Sequence, residues 1–151
     1  MTWNRIITFA IIGIAIAYWA YNYYGVDFKE DSVTGIQFHR GTWEDALHLA
    51  KKENKLIFLD VYATWCGPCK KLKKTTFSDK EVGNLFNKTF INVSLDAEQG
   101  DGVVLAQKYQ IEAYPTLLFI DADGNAVKGE SGYHNANELI ELAQSITTAN
   151  P

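Results

Sequence analysis

The sequence predicts an α/β domain: a central mixed β-sheet flanked by helices on both faces, preceded by one N-terminal transmembrane helix. Three observations carry this expectation. Short apolar runs of strand length alternate with segments whose apolar residues recur at helical spacing. The last two strands are joined only by Asp121-Ala122-Asp123-Gly124-Asn125, a turn too short for a crossover, so that pair is antiparallel. At the N-terminus, Ile6 to Val26 contains no Asp, Glu, Lys, Arg or His across 21 positions, and a helix needs about 20 to cross a bilayer core.

The chain has 151 residues, room for one ordinary domain plus a short appendage. Apolar residues make up 47% of it, enough to build a packed core without staples. A formal charge of −4, spread along the chain, gives no surface for nucleic acid. Two cysteines are too few for a disulfide scaffold.

The N-terminal segment begins with the apolar run IITFAIIGIAIA and ends in aromatics, Tyr18, Trp19, Tyr21, Tyr23 and Tyr24, which favour the headgroup zone. A buried core helix is the bland alternative, but the segment has no polar face. A cleaved signal peptide is the stronger rival, since Ala15-Ile16-Ala17 has the small-x-small form of a cleavage site. With either a signal-anchor or a cleaved signal, Arg5 on the N-terminal flank places the remainder on the extracytoplasmic side. The organisation read from the sequence is therefore an anchor or signal over residues 1–26, a polar linker over 27–35 and a domain over 36–151.

Within the domain, a short strand is expected at Ile36–Phe38. Thr42 and Asp45 resemble a capping pair for a helix carrying Trp43, Ala46, Leu47 and Ala50. Leu56 to Ala63, LIFLDVYA, is an apolar run with one charge, Asp60, and suits a strand covered on both faces. A helix begins inside the following cysteine segment. Ser78 and Glu81 resemble a second capping box ahead of Val82, Leu85 and Phe86. Phe90 to Asp96 reads as a strand, and Val104, Leu105 and Tyr109 as a short helix. Thr116 to Ile120 and Ala126 to Glu130 form the closing hairpin. Asn135 and Glu138 cap a final helix through Leu139, Leu142, Ala143 and Ile146.

The chemistry concentrates in Thr64-Trp65-Cys66-Gly67-Pro68-Cys69-Lys70-Lys71, which holds both cysteines. A strand that turns straight into a helix puts Cys66 at the helix N-terminus, where unpaired N–H groups and the helix dipole favour a thiolate. Pro68 suits an early helical position because its missing N–H is not needed there. Gly67 adds little bulk, so a partner sulfur can approach. Cys69 lies one turn on, within reach of a mixed disulfide on Cys66. Lys70, Lys71, Lys73 and Lys74 add positive charge to the same helix, with little effect on Cys66 if they all point to water. A structural disulfide between such near neighbours closes too short a loop to stabilise much. A metal site normally takes three or four protein ligands, and His39, His48 and His134 are scattered. A CxxC in a βαβ pattern reads as a redox motif, so no cofactor is expected beyond the cysteine pair itself.

Asp60-Val61-Tyr62-Ala63-Thr64-Trp65-Cys66-Gly67-Pro68-Cys69-Lys70 resembles the active-site segment of the thioredoxin superfamily, and Tyr114-Pro115-Thr116 resembles its cis-proline loop. The resemblance covers roughly Ile36 to Ile146 and implies a thioredoxin fold. Thr76-Phe77-Ser78-Asp79 and the Asp121–Gly124 turn are more similar to one branch, the extracytoplasmic C-terminal domain of bacterial transmembrane disulfide-interchange reductases. The resemblance implies Cys66 as the attacking thiolate, Cys69 as the resolving thiol and Asp60 as a proton relay for Cys69. It implies a cis peptide before Pro115 and a substrate groove flanked by Trp65 and Tyr114, with Gly67 and Pro68 beside it. The family often pairs this Asp with a Lys on the next strand. The aligned position here is Asn92, so that partner is missing.

Gly-Pro between the cysteines matches reducing thioredoxins, with potentials near about −270 mV. The sequence thus points to a membrane-tethered thiol–disulfide oxidoreductase, a reductase of protein disulfides, at the inner membrane of a bacterium and facing the periplasm. Its expected partners are protein thiol and disulfide substrates and a membrane electron donor, with the chain a monomer. Two other readings stay open: a binding or chaperone module using the Pro115 groove, and a fixed redox subunit of a membrane assembly.

Overall fold

Four strands form one sheet: β1 (Leu56–Tyr62), β2 (Phe90–Asp96), β3 (Thr116–Ile120) and β4 (Ala126–Ser131), in spatial order β2-β1-β3-β4. The structure is a computed structural model, described over residues 3–149. Strand β1 runs parallel to β2 and antiparallel to β3, and β4 closes the sheet as a hairpin partner of β3. The sheet is mixed, as the sequence implies. The helices are α1 (Trp3–Tyr24), α2 (Trp43–Glu53), α3 (Gly67–Thr75), α4 (Lys80–Thr89), α5 (Asp101–Lys108) and α6 (Ala136–Ala149).

Successive residues of β1 point to opposite faces, so this apolar strand feeds two cores. On one face Phe58 shares a core with Phe90 and Phe119 from the neighbouring strands, Leu72 of α3, Val82 and Phe86 of α4, and Leu139, Ala143 and Ile146 of α6. The Phe58 ring lies 4.8 Å from Phe86 and 5.3 Å from Phe119, centroid to centroid. On the other face Ile57, Leu59 and Val61 pack with Trp43, Ala46 and Ala50 of α2 and Leu105 of α5. Burying one Phe or Leu side chain is worth about 1.5–3 kcal/mol. The face shared by α3, α4 and α6 is therefore what fixes α3, and with it the cysteines, against the sheet.

Helix entry follows local chemistry. Thr42 and Asp45 form the expected reciprocal capping box. Asn135 and Glu138 do the same ahead of α6, each side chain accepting from the other residue's backbone N–H. The expected Ser78–Glu81 box is not there. Asp79 caps α4 instead, its carboxylate accepting from Glu81 N and Val82 N, while the Ser78 hydroxyl donates back to Lys74 O. A carboxylate facing two free N–H groups wins over a hydroxyl already used by the preceding helix.

One further strand expectation is corrected. Ile36–Phe38 is not a strand: Gln37 N donates to the Asn87 side chain rather than to a neighbouring strand, and the one backbone bond to β2 is His39 N to Asn92 O. The residues read as a tether also pack on the domain. Phe28 is buried, Asp31 pairs with Arg40 and Lys73, and Gly35 lies against Phe77. As for the expected transmembrane anchor, α1 has 22 residues, but among the described residues no helix is long and apolar enough to cross a membrane. Its apolar run, Ile6 to Ala17, is 12 residues, about 18 Å of helix against a hydrocarbon core of about 30 Å. The side chains of Tyr23 and Tyr24 lie outside the described residues.

Candidate active site

Strand β1 ends at Tyr62 and α3 opens at Gly67, so Cys66 falls on the turn between them as the N-cap of α3. Its backbone is extended, and its Sγ accepts from Cys69 N across 3.1 Å. A sulfur in this position sits where the unpaired N–H groups of the first turn converge, which favours its anion. Pro68 occupies the first turn, as expected. Cys66 and Cys69 form a disulfide with Cα atoms 5.3 Å apart. Cys66 is only 3% exposed, whereas Thr64, Trp65, Gly67 and Pro68 around it are exposed. Apart from its chain neighbours and the backbone of its own helix, nothing lies within 4 Å of where a Gly67 Cβ would be, so that side of the pair is open.

The Tyr114–Pro115 peptide is cis, as the resemblance implies. Tyr114 packs against the cluster that contains both cysteines, and its ring meets Trp65 edge-on with centroids 6.0 Å apart. Trp65 is 59% exposed and is held by its indole N–H, which donates to Glu98 Oε1 across 2.9 Å. The structure thus brings together Cys66, Cys69, Trp65, Gly67, Pro68 and Tyr114, with Pro115 next in the chain.

Asp60 lies on β1 on the face that α3 covers, with Phe58 two residues before it. It is 2% exposed, and burial pushes its carboxyl up to about 7, against smaller downward pulls from the Ser94 hydrogen bond and the Lys73 charge. Ser94 Oγ donates to Asp60 Oδ2 across 2.8 Å, while Oδ1 has no hydrogen-bond partner. A carboxyl that titrates near neutrality beside the helix carrying a dithiol suits proton exchange at working pH. Strand β2 thus gives Asp60 a neutral hydroxyl donor, Ser94, two residues past Asn92, and the cation that acts on Asp60 is Lys73 of α3. Asn92 instead donates toward Gln37 O and Asn87 Oδ1. The lysines of α3 do not all face water: Lys70 is buried, and the Lys73 ammonium is held against Asp31.

Three residues near the site were not singled out from the sequence. Ser94 stands opposite Asp60 through the parallel register of the two strands, which no local pattern displays. Glu98 lies just past β2, with no local signal. Phe28 belongs to the segment read as a linker, and it stacks on Tyr62 with centroids 4.0 Å apart. Burial, with Asp96 and Asp60 adding to it, pushes the Tyr62 phenol up to about 12, so this wall of the site stays uncharged. Among the described residues, no group of three or more His, Cys, Asp or Glu side chains converges to hold a metal.

Comparison with known proteins agrees with this geometry. The thioredoxin-like domain family matches residues 43–147. The thiol:disulfide interchange protein DsbD of Yersinia pestis (strain Pestoides F) is 32% identical over 100 residues, 64% of this chain and 17% of that protein. The DsbD of Haemophilus influenzae (strain PittEE) is 32% identical over 123 residues, 78% of this chain and 21% of that protein. The chain thus spans about a fifth of the length of these curated relatives. Among solved structures, a putative disulphide-isomerase from Bacteroides thetaiotaomicron superposes with a TM-score of 0.68 at 40% identity, covering 81% of this chain and 99% of that one. The oxidised C-terminal domain of Neisseria meningitidis DsbD superposes with a TM-score of 0.58 at 24% identity, over 73% and 97% of the two chains, which shows the shared fold. The chain belongs to the thioredoxin-like domain family.

Proposed function

We propose that the chain is a membrane-tethered, extracytoplasmic reductase of protein disulfides that works through the Cys66–Cys69 dithiol. The observation that carries this reading is the position of Cys66 as N-cap of α3, with Cys69 one turn on and the buried Asp60 carboxyl beneath the same helix. The Cys66 thiolate attacks a substrate disulfide, forming a mixed disulfide and releasing one substrate thiolate, which takes up a proton. Asp60 accepts the Cys69 proton. The Cys69 thiolate then attacks Cys66 Sγ, expelling the second substrate sulfur as a thiolate that takes up the proton held on Asp60, and leaving the Cys66–Cys69 disulfide. Two electrons have passed to the substrate, and a dithiol donor must return two electrons and two protons before the next cycle. Trp65, Tyr114 and the backbone before Pro115 hold the substrate chain beside Gly67 and Pro68.

The reducing direction is supported by Gly-Pro between the cysteines, which matches reductants near about −270 mV. Kinship with proteins named for thiol:disulfide interchange is consistent with exchange between protein partners. Tethering is supported by α1, whose Ile6, Phe9, Ile11, Ile14 and Ile16 are exposed. That exposed apolar surface favours lipid over water, and Trp19 and Tyr21 suit headgroup depth, although the run alone does not span a bilayer. Insulin reduction by the full chain tests the activity: wild type turns over, Cys66→Ser does not, and retained turnover would refute the assignment. A redox potential above about −150 mV, nearer the strong oxidants, would reverse the direction. Release of the full chain from membranes by alkaline carbonate would remove the tether.

A further inference from the structure

The dithiol shares one buried cluster with side chains from three parts of the chain. Tyr62 and Ala63 come from the end of β1, Tyr114 from the loop before Pro115, and Val26 and Phe28 from the segment after α1. That segment is fastened twice. Phe28 is 8% exposed and lies flat on Tyr62, the two ring planes 8° apart. Three residues later Asp31, its side chain 9% exposed, takes the Lys73 ammonium of α3 at 2.9 Å, pairs with Arg40 at 2.6 Å, and accepts from Phe38 N at 2.9 Å. A stacked apolar ring and a largely buried charge cluster are independent means of holding one short stretch in place.

We propose that Phe28 is an access-determining residue of the redox site: it closes the α1 side of the Cys66–Cys69 pair, so that a partner sulfur enters from the Trp65–Tyr114 side. The inference rests on the reading of Cys66 as the attacking thiol. Thiol–disulfide exchange brings the attacking, central and leaving sulfurs roughly into line, so a wall on one side selects among directions of approach. Cys66 is 3% exposed although its neighbours Trp65 and Gly67 stand in solvent, which is the arrangement a side wall produces. Residues 26–31 are then part of the enzyme's selectivity, and shortening them changes which disulfides are reduced.

The test is alkylation of Cys66 in the reduced full chain in detergent, with iodoacetamide as the small probe and a bulky maleimide as the large one, each cysteine followed by mass spectrometry. Phe28→Ala should speed modification of Cys66 severalfold, more for the large probe, with Cys69 still protected. Asp31→Asn keeps the Phe28 side chain but removes the charge pairing that fastens its segment, so the ring is held less firmly over the pair and the rates should shift the same way, by less. Unchanged Cys66 rates in both variants would overturn the inference. Should Phe28→Ala lose its cooperative melting transition, Phe28→Leu and Asp31→Asn decide by the same criterion. A Cys66 inert in wild type and in every variant would instead overturn the nucleophile assignment on which the inference rests.

Discussion

Ser94 Oγ donates to Asp60 Oδ2 across 2.8 Å, at the register position where β1 and β2 set the two residues side by side. Burial holds the Asp60 carboxyl near 7, and this bond is foremost among the effects pulling it down. A hydrogen bond to a charged group is worth about 1.5–3 kcal/mol, and one pKa unit is about 1.4 kcal/mol. Ser94→Ala should therefore raise the Asp60 pKa further, by about one unit or more. NMR titration of the carboxyl in the disulfide form reads this directly. An unchanged midpoint would show that Ser94 only packs there.

The same carboxyl makes stability depend on pH. Unfolded, Asp60 titrates near 3.8; folded, near 7. Between those values the unfolded chain has lost the proton while the folded chain keeps it. Stability is thus unaffected by Asp60 below about pH 3.8, and falls as pH rises toward 7 by up to about 1.4 kcal/mol per unit. Asp60→Asn removes this slope and keeps an acceptor for Ser94. Urea unfolding of the disulfide forms at pH 5 and pH 8 should show the variant gaining on wild type at the higher pH. Parallel curves would mean that the buried carboxyl is not held neutral.

Gly83 sits inside α4, where Ala is favoured by about 1 kcal/mol on helix propensity alone. A Cβ there, however, would meet the backbone of Thr34 and Gly35, which cannot rotate away. Overpacking of this kind costs about 1–3 kcal/mol, so the clash wins. Gly83→Ala should lower the thermal midpoint, and a rise would show that the segment before residue 36 yields easily.

Trp65 is exposed, tied to Glu98 and set edge-on to Tyr114, the arrangement of a contact surface. Trp65→Ala should raise KM for a protein disulfide about tenfold, ~1.4 kcal/mol, with reduction of a small-molecule disulfide little changed. Glu98→Gln should have a smaller effect in the same direction. Equal losses on both substrates would place Trp65 in the support of the dithiol rather than in substrate contact.

Most strands and helices of the domain were legible from a helical period or a short apolar run, and the bounds read for Phe90–Asp96 and Thr116–Ile120 coincide with β2 and β3. The dithiol's place at a strand-to-helix turn was legible for the same reason. What escaped was set by groups outside the pattern being read, some a turn away and some far along the chain. Asp79 displaces Ser78 as cap only because the Ser78 hydroxyl is engaged by the end of α3. Ser94 supports Asp60 through strand register, which no local pattern displays. Residues 27–35 are polar enough to read as a linker, yet Phe28 and Asp31 find Tyr62 and Lys73 more than thirty residues away.

The most direct test of a Cys66 thiolate resolved by Cys69 is to challenge the reduced Cys69→Ser chain with a disulfide-bonded protein and locate the link by mass spectrometry. The expected result is a stable mixed disulfide through Cys66, absent when Cys66→Ser is tested in its place. No adduct, or an equal adduct through Cys69 in the Cys66→Ser chain, would contradict the account.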